Sequence, residues 1–350
     1  MNDFIIEGRK IGVEYPCYLV AEVGVTANGD VKTAKKLVDA SKDAGLDAIK
    51  FQFIGPEDFM SDKQISYEYT EYDGTKRKEN MFDMFMKYKF DAVQMKEIKA
   101  YADRVGMTCF ATVDYLKGID PLEAMGVGAY KICSWDTTFY EMIEKIAETG
   151  KPAIVDLGPS DLGHLCRIKQ IFDERDNPQL AFLHCYHNDL PEDINLRTIS
   201  YLHKVFPDCA VGFSSSGRKT DLDLLALALN ASIIEKRLTL DKTQKGHHHS
   251  ISLEPKEVKA FVQQIRTAEA ALGREGIYPG RGDIEDGEKY LRSLVSTAPI
   301  KSGEIFSKKN MAVKRPGDGI QPHYFDFFLG RTTKRDIKAD LKLEWEDLIP

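Results

Sequence analysis

The sequence lacks most features of membrane, secreted and nucleic-acid-binding proteins. No apolar run is long enough to span a bilayer, and the first ten residues do not form a signal peptide. The formal net charge of −7 disfavours nucleic acid as a partner. No Cys-x-x-Cys pair occurs among the six cysteines, so we expect buried thiols in a cytoplasmic protein rather than a metal cluster.

What is present is a regular alternation of short apolar runs with amphipathic helical stretches. The runs begin at Tyr18, Ala48, Met107, Ala129, Pro152, Ala181, Cys209 and Ser232. Eight such units within about 270 residues predict a (β/α)₈ barrel, the TIM-barrel class of α/β fold. A doubly wound sheet is the alternative, but it usually carries a glycine-rich turn after the first strand, which the segment 21–29 lacks.

The pattern changes after residue 273. Glycines and charges from 274 to 290 are typical of a linker, and residues 291–350 carry a short internal repeat in which the segment from Ile300 aligns with that from Ile337. We therefore expect a barrel domain over 1–273, a linker over 274–290 and a small domain over 291–350. So small a domain has little core of its own, and we expect it to pack on a barrel.

Two lysines, Lys50 and Lys131, lie inside runs that otherwise predict buried strands. A buried ammonium is costly unless an anion or a cage of hydrogen bonds meets it. The two lysines therefore indicate either an anionic ligand or amine chemistry.

Active sites of (β/α)₈ barrels lie at the carboxyl ends of the strands. The polar residues predicted at these ends are Glu22, Lys50, Gln52, Thr112, Asp114, Lys131, Ser134, Asp136, Asp156, His184, His187, Asn188, Ser214, Glu235, Lys236 and Arg237. Cations combined with hydroxyl and amide donors suit a phosphate or carboxylate ligand.

Several motifs resemble the N-acetylneuraminate (sialic acid) synthase family, which includes legionaminic acid, pseudaminic acid and spore-coat polysaccharide synthases. The motifs lie at 21–24, 48–52, 129–134, 149–152, 183–185, 193–197, 234–236, 252–255 and 313–317. The resemblance covers nearly the whole chain. It implies a TIM barrel followed by an antifreeze-like (SAF) domain, in a domain-swapped homodimer.

The resemblance also implies a reaction, in which phosphoenolpyruvate condenses with an open-chain aldose, such as an N-acylated hexosamine. The products are a nonulosonic acid, for surface polysaccharide, and phosphate. By resemblance, the residues that hold phosphoenolpyruvate are Lys50, Thr112, Lys131, Ser134, Asn188 and Ser214. Those implied at the acceptor are Glu22, Gln52, Asp136, His248 and, from the partner's small domain, Arg315.

The metal site of the family is not kept. The family places a divalent ion, usually manganese, on two histidines, and the corresponding residues here are Ser216 and Arg237. Serine is a weak ligand and arginine cannot ligate a metal. We therefore expect no cofactor at this position.

Three hypotheses remain open. Arg237 could replace the metal as the group that polarises the aldehyde, with Glu22 and Lys131 as the other catalytic residues. Asp156, His184 and the loop His247–His249 could rebuild a site for manganese or another divalent metal. The protein could instead bind sugar or phosphate without catalysis. A Schiff-base aldolase using Lys131, its pKa lowered by Lys50, is a further alternative within enzymes.

Overall fold

The predicted apolar runs form the strands of a closed parallel barrel. The computed structural model describes residues 4–187, 190–215 and 217–349. In chain order its strands are β1 Phe4–Ile6, β2 Arg9–Ile11, β3 Tyr18–Gly24, β4 Ala48–Phe53, β5 Ser66–Thr70, β6 Lys76–Asn80, β7 Thr108–Val113, β8 Tyr130–Ile132, β9 Ala153–Asp156, β10 Leu180–Cys185, β11 Ala210–Ser215, β12 Ile233–Arg237, β13 Ser293–Ser296 and β14 Met311–Lys314. The barrel closes in the order β3-β4-β7-β8-β9-β10-β11-β12, which confirms the predicted fold.

Helices alternate with the barrel strands along the first unit, as a (β/α)₈ fold requires. They are α1 Val31–Ala44, α2 Pro56–Phe59, α3 Met81–Tyr88, α4 Ala92–Val105, α5 Ile119–Met125, α6 Tyr140–Glu148, α7 Leu162–Asp173, α8 Pro191–Ile194, α9 Thr198–Val205, α10 Asp221–Ala228 and α11 Pro255–Leu272. Helices α12 Arg281–Tyr290 and α13 Phe325–Phe328 belong to the second unit. Helix α1 shows why the boundaries follow from sequence. The Asp30 side chain accepts the Thr33 N–H at its start, and Gly45 ends it with a φ of +85° that glycine adopts without strain. No helix in the described part of the chain is both long and apolar enough to cross a membrane.

The barrel interior is apolar where the strands begin and polar where they end. An inner cluster joins early strand residues such as Tyr18, Ala48 and Phe110 to Phe4 and Ile6 of the β1–β2 hairpin. The hairpin therefore closes the amino-terminal end of the barrel, which leaves the carboxyl ends as the place for a polar site.

A second hairpin, β5–β6, was not predicted from sequence. Its strands alternate exposed and half-buried residues and pair with Glu68 opposite Lys78, while Gly74 at the turn has a φ of +87°. A strand is predicted from alternating apolar and polar residues, and this segment has too many charged residues to show such a pattern.

The chain divides into two units, one ending at Gly273 and the other starting at Arg274. In the second unit, β13 pairs with β14 around a small apolar cluster, and Ile300 pairs with Ile337, so the first residues of the two repeat halves are neighbours. Part of the stretch expected as a linker is helix α12, in which Gly282 and Gly287 are tolerated inside regular helix.

Consecutive residues of β12 serve opposite faces of the barrel wall. The Lys236 ammonium is buried, 2.6 Å from Asp223 of α10 and 3.0 Å from the Ser215 hydroxyl. Lys236 also donates to the Lys219 carbonyl. Its contacts therefore connect β12 with α10 and with the turn after β11.

We predict that Asp223→Ala destabilises the protein by about 3–5 kcal/mol, because it leaves the Lys236 ammonium buried without its carboxylate. The free energy of unfolding in urea measures the loss. Asp221→Ala, an exposed aspartate on the same helix, is the control and should change stability by at most about 0.5 kcal/mol. Equal losses for the two variants would contradict this assignment.

Candidate active site

The two strand-borne lysines converge on one carboxylate. Glu235 of β12 places Oε1 3.2 Å from Lys50 Nζ and Oε2 2.9 Å from Lys131 Nζ. All three side chains are buried. The pair of positive charges inferred from the sequence is thus one cluster that Glu235 bridges.

Each lysine has further partners. Lys50 forms an ion pair with Glu22 and donates to the Thr112 hydroxyl at 3.1 Å. Ser214 donates to Glu235 Oε1 at 3.3 Å. The residues expected to hold a phosphate on strands β4, β7, β8 and β11 are therefore joined in one hydrogen-bonded network.

Lys131 is held between two acids. Its ammonium lies 2.6 Å from Asp156 Oδ1 in addition to its contact with Glu235. Burial alone would lower the pKa of Lys131, but Asp156 and Glu235 together raise it. Burial raises the pKa of Asp156 to about 6. At Glu235 burial also acts to raise the pKa, but the attraction of Lys131 and Lys50 outweighs it and lowers the pKa to about 2.

These contacts correct the energetic argument made from the sequence. The buried ammonium groups do meet anions, but in this structure the anions are the protein's own Glu22, Glu235 and Asp156. Burial of the lysines alone therefore does not require an external anion. An external anion would have to compete with these carboxylates.

Arg237, at the end of β12, lies on the opposite side of Glu22 from this cluster. Its Nη1 is 3.8 Å from Glu22 Oε1 and 3.2 Å from His248 Nδ1. A guanidinium has only donors, so Nδ1 must accept and the imidazole proton is on Nε2. Burial, together with Arg237 and His247, lowers the pKa of His248 well below its ordinary value, which agrees with a neutral ring.

Three buried polar atoms in this region have no hydrogen-bond partner within the described residues, namely Glu22 Oε2, Arg237 Nε and His247 Nδ1. Glu22 Oε2 is in ion-pair contact with Lys50, whereas no ion pair engages the other two atoms in the described part of the chain. Buried polar atoms are nearly always paired, so such atoms indicate a ligand or water. The β5–β6 hairpin covers this region, because the Tyr67 and Tyr69 rings lie 4.4 Å and 5.5 Å from the His247 ring.

Ser134 lies in a second patch, beside the loop after β10. Its hydroxyl is 3.0 Å from His187 Nε2, and the Trp135 ring stacks on the His187 ring with 4.6 Å between centroids. Gly158 makes room for this contact, since a Cβ there would lie 2.3 Å from Ser134 Cβ. Substitution of Gly158 would therefore displace Ser134.

Asp114 and Asp136 form a pair of acids with raised pKa values at the ends of β7 and β8. Burial raises the pKa of Asp136 to about 7. Burial and the nearby Asp136 raise that of Asp114 to about 8, even though Asp114 Oδ1 accepts the Gly55 N–H at 3.0 Å. Groups that titrate near neutral pH are suited to proton transfer.

The remaining predicted residues are not all joined to the network. Gln52 pairs with Thr112 in the β4–β7 register, one layer beyond Lys50. Arg315 lies in the second unit, where its Nε donates to the Tyr290 carbonyl at 2.8 Å. Asn188 and Ser216 lie outside the described residues.

The residues do not fit the divalent ion that the family usually carries. Arg237 is a cation at one of the two positions where the family has a metal ligand. The residues that could have rebuilt a metal site elsewhere are bonded to other partners. His184 Nε2 is bonded to the Ile194 carbonyl, Asp156 is paired with Lys131, and His249 bonds Thr239 and Asn28. Within the described residues 4–187, 190–215 and 217–349, no group of three His, Cys, Asp or Glu side chains is arranged to hold a metal ion.

Sequence reasoning gave no role to Glu235, although it connects the whole cluster. The available signal was the same one that marked the lysines, namely a charged residue inside a strand that is otherwise buried. The His187 contact with Ser134 was also missed, because nothing in the sequence indicates which loops meet.

Comparisons with known proteins agree in family and in fold. A model of the NeuB family matches residues 37–276, and a model of the SAF domain matches residues 292–349. The chain is 35% identical to an uncharacterized protein of Methanocaldococcus jannaschii, over 100% of this chain and 99% of that protein. It is 32% identical to the N,N'-diacetyllegionaminic acid synthase of Campylobacter jejuni, over 92% and 97%. The solved structure of the Bacillus subtilis spore coat polysaccharide biosynthesis protein SpsE covers 100% of this chain and 99% of its own, with 27% identity and a TM-score of 0.66.

We predict that Gly24→Ala is more destabilising than an ordinary glycine substitution. Gly24 has a φ of +55°, and a Cβ there would lie 2.5 Å from His248 Nδ1, so His248 would have to leave Arg237. Gly74→Ala is the matched control, since its φ is +87° and nothing lies within 4 Å of its Cβ position. Gly74→Ala should cost about 1–2 kcal/mol from backbone strain and Gly24→Ala at least about 1 kcal/mol more, measured by urea unfolding. Equal costs would show that His248 is not fixed in place.

Proposed function

Because the chain belongs to the NeuB family, we propose that it condenses phosphoenolpyruvate with an open-chain aldose to give a nonulosonic acid and phosphate. The observation that carries the proposal is the cluster of Lys50 and Lys131 around Glu235, with the hydroxyls of Thr112 and Ser214 beside it. Such a set of cations and donors suits the phosphate and carboxylate of this donor. We propose further that the protein is a cytoplasmic homodimer that supplies surface polysaccharide, with Arg315 reaching the partner's acceptor.

The proposed chemistry assigns each atom of the reaction. C3 of phosphoenolpyruvate attacks the aldehyde carbon and forms the new C–C bond, while the aldehyde oxygen gains negative charge. Water then adds to C2, and the bond from C2 to the phosphate oxygen breaks, which leaves a ketone at C2. Of the two protons that the water loses, one goes to the oxygen of the former aldehyde and one to the departing phosphate. The protein must therefore hold one anion throughout and stabilise a second that develops on the aldehyde oxygen.

Arg237 is the proposed electrophile for the aldehyde oxygen. Its Nε–H is buried and has no acceptor among the described residues, while His248 and Glu22 hold Nη1. A guanidinium is a planar cation whose N–H donors point in fixed directions, which suits it to an oxyanion. The neutral His248 ring fixes the guanidinium without adding a competing charge, and Glu22 stands beside it to orient the acceptor.

Arg237→Ala should lower the rate of phosphate release by about 100- to 1,000-fold, the usual cost of removing one group that stabilises an oxyanion. Phosphoenolpyruvate affinity, measured by calorimetry, should change by less than about threefold, since Arg237 does not contact the lysine cluster. Arg218→Ala, which removes an arginine stacked 5.5 Å from the Tyr72 ring, is the control and should keep the rate. The assay uses phosphoenolpyruvate with a panel of N-acylated hexosamines and other aldoses.

The same assay is run with and without a chelator. Activity of the unsubstituted protein should survive chelation. Loss of activity in chelator that manganese restores would contradict the role of Arg237. Absence of aldose-dependent phosphate release with every aldose would instead favour a non-catalytic sugar- or phosphate-binding protein.

A Schiff-base aldolase is the competing enzyme on this fold, and the surroundings of Lys131 oppose it. A Schiff base requires a neutral amine, whereas Asp156 and Glu235 stabilise the ammonium and raise its pKa despite burial. Lys50, expected to lower that pKa, is itself paired with Glu22 and Glu235.

Treatment with pyruvate and sodium borohydride should therefore leave Lys131 unmodified, as measured by peptide mass spectrometry. Lys131→Arg, which keeps the charge but cannot form the adduct, is the control. An adduct at Lys131 in the unsubstituted protein that is absent from the variant would overturn the synthase proposal.

A further inference from the structure

Asp156 forms an ion pair with the buried Lys131 ammonium in the barrel mouth. Its Oδ1 lies 2.6 Å from Lys131 Nζ, and Glu235 takes a second position on the same ammonium at 2.9 Å. Lys50 is similarly engaged by Glu22, Glu235 and Thr112. Three carboxylates therefore already face the two ammonium groups before any ligand arrives.

An incoming phosphate or carboxylate would meet Asp156 within a few ångströms. Two anions beside one buried ammonium repel each other, and burial makes this repulsion stronger than in water. The carboxylate can relieve the repulsion by taking up a proton, and Lys131 then serves the ligand in its place. Glu235 cannot act in this way near neutral pH, because the two lysines lower its pKa to about 2 despite burial.

We propose that Asp156 is an internal competitor for the donor site, and that binding of an anionic donor at Lys131 is coupled to uptake of one proton by Asp156. The inference rests on the proposed function, because it takes the donor to be phosphoenolpyruvate. It names a residue that sets donor affinity and makes that affinity depend on pH.

The groups around Asp156 leave it as the one suited to this role. The charged groups that face Asp156 are Lys131 of β8, Lys50 of β4 and Glu235 of β12. The thiols of Cys133 and Cys185 are also close enough to interact with its charge. Burial raises the pKa of both thiols, so they stay protonated. Asp156 and Glu235 raise the pKa of Lys131 against the effect of burial, so its ammonium stays charged. Asp156 itself, with a pKa raised to about 6, is ionised at neutral pH but within reach of protonation.

The direction of the effect follows from linkage. A bound anion raises the pKa of Asp156 above its value in the free protein, so the complex holds more protons than the free protein. Affinity must then increase as the pH falls, by up to about tenfold per pH unit, between the pKa in the complex and the pKa of about 6 in the free protein.

The experiment compares the whole protein with Asp156→Asn, which keeps the shape of the side chain and removes its charge, and with Asp156→Ser. Asp173→Asn, an exposed aspartate on α7, is the control. Phosphoenolpyruvate is titrated calorimetrically from pH 5.5 to 8.0, in pairs of buffers with different ionisation enthalpies, so that proton uptake is counted directly. Comparison with the variants subtracts the ionisation of phosphoenolpyruvate itself.

The unsubstituted protein and Asp173→Asn should take up about one more proton per donor at pH 7.5 than the two Asp156 variants do. The variants should bind phosphoenolpyruvate up to about 30-fold more tightly at that pH, because protonating a carboxyl with a pKa of about 6 at pH 7.5 costs that factor. The advantage should shrink towards pH 5.5.

Equal proton uptake and equal pH dependence in all four proteins would overturn the role of Asp156 while leaving the donor assignment intact. Failure of every one of them to bind phosphoenolpyruvate at any pH would overturn the donor assignment, and this inference with it. The two failures are thus distinguishable.

Discussion

The bridge that Glu235 forms between Lys50 and Lys131 is the interaction on which the site depends. Two ammonium groups in a buried barrel mouth repel each other, and the carboxylate between them offsets this repulsion in addition to the separate partners Glu22 and Asp156. Because the bridge joins β4, β8 and β12, it also fixes where these three strands end relative to one another. The positions of Thr112 and Ser214 follow from this arrangement, since each bonds a member of the bridge.

The second half of the site is organised around a different cation under the same constraint. Arg237 has one distant carboxylate, Glu22, and a neutral histidine, His248, as its partners. Three consecutive histidines beside an arginine would be repelled if they carried charge. Burial and Arg237 lower the pKa values of His247 and His248, which agrees with neutral rings. Two regions of unlike character thus adjoin at Glu22. In one, carboxylates pair with both lysines, and in the other a cation has an Nε–H that lacks an acceptor within the described residues.

The barrel was predictable because its signals are local. Each strand is a short apolar run, and each helix such as α1 carries its own cap and stop, so the boundaries at Asp30 and Gly45 could be read directly. The lysines were predictable as candidate site residues for the same reason. Glu235 was not predictable as their common partner, because it lies on β12, which is not next to β4 or β8, and only barrel closure brings it between them. Glu22 and Asp156, by contrast, lie on β3 and β9, which pair directly with β4 and β8. The β5–β6 hairpin was missed because its charged and aromatic residues alternate in exposure, whereas the prediction looked for apolar residues that alternate with polar ones.

Strand β12 carries three adjacent charged residues that point in two alternating directions. Glu235 and Arg237 point into the mouth, and Lys236 between them crosses the wall to Asp223 behind it. A deletion or insertion of one residue in this strand would exchange the two faces at once, sending Lys236 among the other cations and two charged side chains against the apolar back of the barrel. Natural variation in this segment should therefore proceed by replacement alone, and its length should be the same in every functional descendant of this sequence.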